Sequence, residues 1–158
     1  MRYVGGLTEN GVYMNEADHF YLRRAIDLAL AARQAGDMPF GSLLVGPDVQ
    51  GLAEERNTVI TQRDITAHPE LKLARWAAQE LDHGTASRTT MYTSCQPCPM
   101  CGGATVRSGL GRVVFALSGE QLLSLEPPGA LAPDAAEIQY EGPTLFDEAR
   151  VHIDGYYV

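Results

Sequence analysis

The stretch TSCQPCPMC (residues 93–101) contains all three cysteines of this chain, and they recur at every third position. The residues that lead into it, TTMYTS (89–94), are rich in threonine and predict a strand. Residues 98–107 predict a short helix, in which Pro99 suits the first turn. The cysteines therefore lie where a strand turns into a helix, and open α/β sheets place their chemistry at such turns.

Hydrophobic periodicity and turn residues divide the rest of the chain into further elements. We expect helices at 17–35 and 66–82, strands at 40–46, 52–60, 112–117 and 137–142, one or two helical turns at 119–125, and a tail with some helix at 143–158. A hairpin followed by β-α-β crossovers predicts an α/β fold, a three-layer α/β/α sandwich with a mixed five-stranded sheet. No repeat or linker interrupts the sequence, so residues 1–158 are expected to form a single domain.

Charge and composition narrow the classes of partner. The chain has 158 residues and a net charge of −8, which repels phosphate backbones and makes nucleic acid an unlikely partner. No apolar stretch is long enough to span a bilayer, and the first residues do not resemble a signal peptide, so we expect no membrane association. Three clustered cysteines do not make a disulfide framework, and a cytoplasmic location is expected.

Two segments could supply metal ligands. Cys98 and Cys101 are spaced i, i+3, which places both sulfurs on one face of a first helical turn, where the helix N-terminus is expected to lower the pKa of a thiol. The segment TAHPE (66–70) places His68 at the start of another helix, which can begin at the proline that follows it. A right-handed crossover would bring the two helix N-termini to one edge of the sheet.

One histidine and two cysteines fit an open zinc site. Zinc takes four ligands in a tetrahedron, and a site with three protein ligands keeps one position for water. Water bound to zinc ionises near neutral pH and becomes a nucleophile. Glu70, two residues after His68, is better suited to carry protons beside that water than to act as a fourth ligand.

The residues alone leave other uses of the cysteines open. An iron–sulfur run would need a fourth cysteine, and the position where it is often found is Thr105. A redox pair of Cys98 and Cys101 would leave the TAHPE segment without a role. A closed structural zinc site that included Cys95 would make the chain an interaction domain, but three cysteines at this spacing across a turn should not all face one ion.

The pattern H-x-E followed by P-C-x-x-C is the signature of zinc deaminases. Here it is His68-Pro69-Glu70 and Pro97-Cys98-Pro99-Met100-Cys101, and DMPFGSLLV (37–45) and RNTV (56–59) precede it in order. The sequence resembles the cytidine and deoxycytidylate deaminase superfamily, nearest the branch of guanine, cytosine and tRNA adenosine deaminases. It departs from the family at Pro69, where alanine or valine is more common, and at Gln96, where several relatives have glutamate.

The resemblance implies a cytidine deaminase-like fold, a homodimer and one Zn²⁺ per chain, bound by His68, Cys98 and Cys101. It implies that Glu70 is the catalytic proton carrier. It also implies a set of substrate-binding residues: Asn57, Phe40, the backbone at Ala67, Ser94 and Cys95, and Tyr156 if the tail at 143–158 covers the active site. The expected reaction is hydrolytic deamination of a free nucleobase or base-like heterocyclic amine, such as guanine, cytosine, a modified base or a triazine. A nucleoside or tRNA adenosine is the alternative substrate.

Overall fold

The computed structural model describes residues 14–128 and 138–156. The elements in chain order are α1 (Glu16–Gln34), β1 (Gly41–Val45), β2 (Gly51–Arg56), α2 (Val59–Gln62), α3 (Pro69–Glu80), α4 (His83–Ala86), β3 (Thr90–Cys95), α5 (Pro99–Arg107), β4 (Arg112–Leu117), α6 (Gly119–Leu125) and α7 (Phe146–Arg150). The strands form one sheet in the order β2-β1-β3-β4. β3 and β4 are parallel, whereas β1 is antiparallel to both of its neighbours, so the sheet is mixed as predicted.

Helix α1 covers one face of the sheet. It begins with a capping box, in which Asn15 and Asp18 each accept a hydrogen bond from the other's backbone, and it ends before Gly36, whose φ is +88°. The helix crosses β1 at Gly41, where an added Cβ would collide with the Cβ of Leu28 and the backbone of Ala29. Glycine at this position therefore allows the helix and the strand to pack in contact.

The core divides into two layers of buried side chains, one on each face of the sheet. The layer under α1 contains Leu22, Ala25, Leu43, Val45, Tyr92 and Val114. The layer on the opposite face contains Leu44, Leu73, Ala77 and Met91, with Leu73 and Ala77 contributed by α3. Helix α5 packs beside α3. The predicted α/β/α sandwich is confirmed, and both α3 and α5 begin at the end of the sheet where β3 terminates.

Two of the predicted strands are wrong in part. Residues 138–142 form no strand, residue 137 lies outside the described residues, and no strand pairs with the outer edge of β4 in the part of the chain described, so the sheet has four strands rather than five. The alternating Ile138 and Tyr140 resemble a strand, but both are exposed. Strand β2 ends at Arg56 rather than at residue 60. The backbone N–H groups of Val59 and Ile60 donate to the side chains of Asn57 and Asp37 rather than to a neighbouring strand, and these residues begin α2.

Within the described ranges, no helix is both long enough and apolar enough to cross a bilayer.

Candidate active site

The connection from β3 to α5 presents two of the three cysteines to one point. Cys95 is the last residue of β3, Cys98 is the N-cap of α5 and Cys101 lies in its first turn. Pro99 occupies the first helical position, where the missing N–H costs no hydrogen bond. All three cysteines are free.

His68 reaches the same point from the neighbouring helix. It is the N-cap of α3 with an extended backbone, and Pro69 is the first helical residue, as the sequence predicts. Its Nδ1 lies 3.8 Å from the Sγ of Cys98 and 3.6 Å from the Sγ of Cys101. The ligand atoms of the three residues all lie within 4.8 Å of one another. The crossover thus brings both helix N-termini to one edge of the sheet.

These distances fit a tetrahedral zinc ion. With Zn–N bonds of about 2.0 Å and Zn–S bonds of about 2.3 Å, tetrahedral ligand atoms are separated by about 3.5 to 3.8 Å. The resemblance described above implies zinc, and one nitrogen and two sulfurs are donors that zinc prefers. Three protein ligands would leave one position of the tetrahedron for water.

The thiol of Cys101 differs from the expectation that a helix N-terminus lowers the pKa of a thiol. Burial raises the pKa of Cys101 well above its ordinary value, and the negative charges of Glu70 and Cys98 raise it further. Because the thiol is buried beside a carboxylate, these effects exceed the field of the helix N-terminus. A cation among the three ligands reverses this balance, since metal coordination deprotonates a thiol.

Glu70 lies beside the three ligands in the first turn of α3. The residue is only 5% exposed, and its Oε1 accepts a 2.8 Å hydrogen bond from the hydroxyl of Thr93. Burial raises the pKa of Glu70 above its ordinary value, although the hydrogen bond from Thr93 and the nearby His68 act in the opposite direction. A raised pKa makes the carboxylate a better proton acceptor, as a proton carrier requires.

A cavity of about 460 Å³ opens beside this cluster. Its apolar lining consists of Met38, Phe40, Val59, Ile65, Met100 and Leu122, and its polar lining consists of His68, Glu70, Cys95, Gln96, Cys98 and Glu126. No lysine or arginine lines the cavity in the described chain. The size and the apolar wall suit an uncharged ring, with a few polar groups to orient it.

The other residues predicted to bind substrate are distributed unevenly around this cavity. Phe40 and Cys95 line it, and burial raises the pKa of Cys95 to about 11, together with the charge of Glu70, so this thiol stays protonated at neutral pH. The backbone of Ala67 already bonds to Asp64 and Thr58. Ser94 accepts a hydrogen bond from the Gly41 N–H.

Asn57 and Tyr156 do not line the cavity. Asn57 is fully buried, and its Oδ1 accepts a hydrogen bond from the N–H of Val59. Its Nδ2 is the one buried side-chain nitrogen or oxygen without a hydrogen-bond partner in the ranges that the structure covers. A buried, unpaired amide is costly, which is a reason to look for a ligand that would accept from it. Tyr156 is 76% exposed.

Several residues that shape the site give little signal in the sequence. Asp37 is buried and accepts hydrogen bonds from the backbone of Ile60 and Thr61 and from the Thr61 hydroxyl, which fixes the segment after Asn57. The side chain of Gln96 accepts a hydrogen bond from the Gly119 N–H, which connects the start of α6 to the turn between β3 and α5. These contacts join residues far apart in sequence, so spacing alone could not predict them.

Comparison with known proteins agrees with this geometry. A family model described as "Cytidine and deoxycytidylate deaminase zinc-binding region" matches residues 15–117. A probable cytosine deaminase of Schizosaccharomyces pombe is 32% identical over 91% of this chain and 94% of its own length. A tRNA-specific adenosine deaminase of Buchnera aphidicola is 34% identical over 66% of this chain and 69% of its own length.

A solved structure extends the similarity to nearly the whole chain. The crystal structure of guanine deaminase from Bacillus subtilis has a TM-score of 0.71 and 29% identity, and it covers 91% of this chain and 94% of that chain. In a sequence comparison, guanine deaminase of the same organism is 42% identical over 53% of this chain and 54% of its own length.

Proposed function

The chain belongs to the cytidine and deoxycytidylate deaminase family, and on this premise we propose that it is a zinc-dependent deaminase of a free nucleobase or a base-like aminated heterocycle. Membership makes it an enzyme, a hydrolase that acts on carbon–nitrogen bonds. One observation carries the proposal: His68, Cys98 and Cys101 converge on one point, and Glu70 lies beside them in a cavity.

The proposed chemistry is hydrolysis. Zinc held by His68, Cys98 and Cys101 would activate a water molecule and offset negative charge at the ring carbon that bears the amine. Glu70 takes a proton from the water and delivers it to the ring nitrogen, then helps to protonate the amine, which leaves as ammonia. Its burial beside the cavity keeps bulk water from competing for that proton.

The substrate would be held by both side chains and backbone. Phe40, which lines the cavity, would pack against the ring. Asn57, which does not line the cavity, would donate from its unpaired amide nitrogen. The backbone at Ala67 and at Ser94 and Cys95 would bind the edge of the ring that carries the amine. For Ala67 this would add to the hydrogen bonds that its backbone already makes.

The cavity favours an uncharged substrate. A nucleotide brings a phosphate that proteins bind with arginine, lysine or exposed backbone N–H groups, and no lysine or arginine lines the described cavity. The similarity to cytosine and guanine deaminases over more than 90% of the chain makes these two bases the first to test. A tRNA or nucleoside substrate is supported by similarity over two thirds of the chain, but the net charge of −8 opposes the tRNA.

The whole chain, residues 1–158, is proposed to act as one deaminase domain, as a homodimer in the cytoplasm, where its three free cysteines would stay reduced. Its tail at 143–158, which contains Tyr156, is proposed to cover an active site.

An ammonia-release screen tests the proposal. Purified protein should contain about one zinc per chain and should release ammonia from cytosine, guanine or a related ring, such as isoguanine, azacytosine or an aminotriazine. Activity should disappear when a chelator removes the metal and return when zinc is restored. Zinc without ammonia from any base or nucleoside would favour a structural-zinc interaction domain. Activity with tRNA alone would overturn the free-base assignment.

A further inference from the structure

Two buried hydroxyl groups lie next to each other in the sheet beneath the active site. Ser42 on β1 and Thr93 on β3 are paired in the antiparallel register, and both are 0% exposed. They lie on the α3 face of the sheet, the face on which the next pair along the same strands, Leu44 and Met91, belongs to the apolar core. Hydroxyls at such positions need hydrogen-bond partners, because an unpaired buried hydroxyl is unfavourable.

The partners form a chain that ends on the catalytic carboxylate. The Ser42 hydroxyl donates to the Thr93 hydroxyl at 2.8 Å, and the Thr93 hydroxyl donates to Oε1 of Glu70 at 2.8 Å. Each hydroxyl has a single proton to donate. In the part of the chain described, the Ser42 hydroxyl has no acceptor other than Thr93, so the reverse direction would leave its proton buried without a partner.

From this polarity we infer that Thr93, oriented by Ser42, is a positioning residue that keeps Oε1 of Glu70 as a permanent acceptor and leaves Oε2 to carry the proton. This inference rests on the proposed function. An O–H bond of water breaks as the bond from the proton to Oε2 forms. That bond then breaks as an N–H bond forms on the ring, and the carboxylate is regenerated. Oε1 keeps its hydrogen bond throughout and fixes the carboxylate plane.

The test compares Thr93→Val, which keeps the shape but removes the donor, with Thr93→Ser, which keeps the donor. With guanine and cytosine as probes, Thr93→Val should lower kcat by about 10- to 100-fold and change KM less than twofold, since losing a supporting hydrogen bond commonly costs that much. Thr93→Ser should recover kcat to within a few fold. Ser42→Ala should lower kcat less than Thr93→Val does.

Thr89→Val is the matched control, because Thr89 is also fully buried and its hydroxyl donates to the Thr85 carbonyl at 2.9 Å, just before β3. It should lower thermal stability by an amount similar to Thr93→Val but leave kcat unchanged. Equal kcat losses in both valine variants would indicate a structural role alone and overturn the inference, as would an unchanged kcat in Thr93→Val.

A second measurement separates this inference from the proposed function. In crystal structures of the zinc-loaded variants, the Glu70 carboxylate should rotate or occupy two orientations in Thr93→Val and should superpose on the wild type in Thr93→Ser. A carboxylate that does not move in Thr93→Val overturns the inference. A wild-type protein that releases no ammonia from either base contradicts the proposed activity on those bases, and the two crystal structures then decide the positioning role on their own.

Discussion

Glu70 is placed in surroundings that suit a proton carrier and would not suit a structural ion pair. No lysine or arginine forms an ion pair with it among the described residues, and the hydroxyl that donates to its Oε1 is neutral. Burial therefore dominates and raises the pKa of Glu70, whereas a salt bridge would have lowered it. The raised pKa makes the carboxylate a better proton acceptor than an exposed glutamate.

The first prediction concerns this residue. Glu70→Gln keeps an oxygen that can accept from Thr93 but cannot take up a proton, so we expect kcat to fall by about 100- to 10,000-fold. Zinc content should stay near one per chain, because Glu70 is not one of the three converging ligands. Ammonia release and metal analysis of the same sample provide the measurement. The control is Glu80→Gln, an exposed glutamate at the end of the same helix, which should leave both unchanged. Near-normal turnover in Glu70→Gln would reject its role.

At the scale of elements, the turn from β3 into α5 gives three similar cysteines different environments. Cys95 is still in the strand, so its side chain follows the alternation of the sheet and lines the cavity. Cys98 and Cys101 lie at the N-terminus of the helix, where a spacing of three residues places both sulfurs on one side. The change from strand to helix between them therefore separates a residue of the cavity wall from two of the three proposed zinc ligands.

Single cysteine-to-serine substitutions should distinguish the wall residue from the two proposed ligands by their effect on zinc binding. Cys95→Ser is expected to keep about one zinc per chain after dialysis. Cys98→Ser and Cys101→Ser should each weaken zinc binding by more than about 100-fold, since even the loss of an outer-shell partner can cost that much. Competition with a chromophoric chelator measures the affinities. Loss of zinc in Cys95→Ser at the level of the other two variants would instead indicate a closed four-ligand site.

Asp18 connects three elements on the opposite face of the sheet. It lies in the first turn of α1 and accepts hydrogen bonds from Tyr92 on β3 and from Arg112 on β4, while its exposed fraction is only 1%. Burial alone would raise its pKa, but the hydrogen bonds from Arg112 and Tyr92 outweigh it and lower the pKa of Asp18 to about 2. The ionised form therefore stabilises the fold.

This contribution should be present above about pH 4, the ordinary pKa of an aspartate, and should be lost as the pH falls through about 2. Asp18→Asn should lower the free energy of unfolding at pH 7, because it removes the charge that Arg112 stabilises. The expected loss is only about 1 to 2 kcal/mol, because Arg112 is partly exposed and water screens the pair. Urea unfolding of the wild type and the variant at pH 7, 4 and 3 measures this difference in the free energy of unfolding. Glu54→Gln, which breaks an exposed pair with Arg24 of the same helix, should cost less than about 1 kcal/mol. Equal costs would show that burial adds nothing at Asp18.

Most elements could be predicted from local patterns, and the errors have tertiary causes. The β-branched Val59 and Ile60 resemble the end of a strand, yet Asp37, far away in sequence, accepts hydrogen bonds from the backbone here and favours a helical turn. Residues 138–142 alternate like a strand but form none, since a strand requires a neighbour to pair with. Local sequence shows neither the contact with Asp37 nor the lack of a neighbouring strand.

The same contrast applies to the site. His68, Cys98 and Cys101 could be proposed from spacing, because a ligand at a helix start leaves a short-range pattern that prolines reinforce. Thr93 and Glu126 left no such pattern, since their places beside Glu70 and in the cavity wall depend on how the elements pack.

At the scale of the whole molecule, the C-terminal segment is the part least explained by the chain on its own. Five apolar side chains there are more than half exposed: Leu145, Phe146, Val151, Ile153 and Tyr156. Soluble proteins seldom expose so many neighbouring apolar groups without a partner surface. Burial of this segment against a second copy of the chain would explain it, in agreement with the proposed homodimer and active-site cover.

Truncation tests this arrangement. Removing residues 153–158 should lower kcat/KM with guanine or cytosine by about tenfold or more, because an uncovered site admits water and orders the ring less well. The thermal melt of the remaining chain should change little, since residues 153–156, the described part of the removed segment, lie outside both core layers. Sedimentation velocity shows whether the dimer persists. Leu30→Ser, an exposed apolar change on α1, across the sheet from α3, should leave the kinetics unaltered. Unchanged kinetics in the truncated chain would reject the cover, and a fully active monomer would reject any need for the second copy.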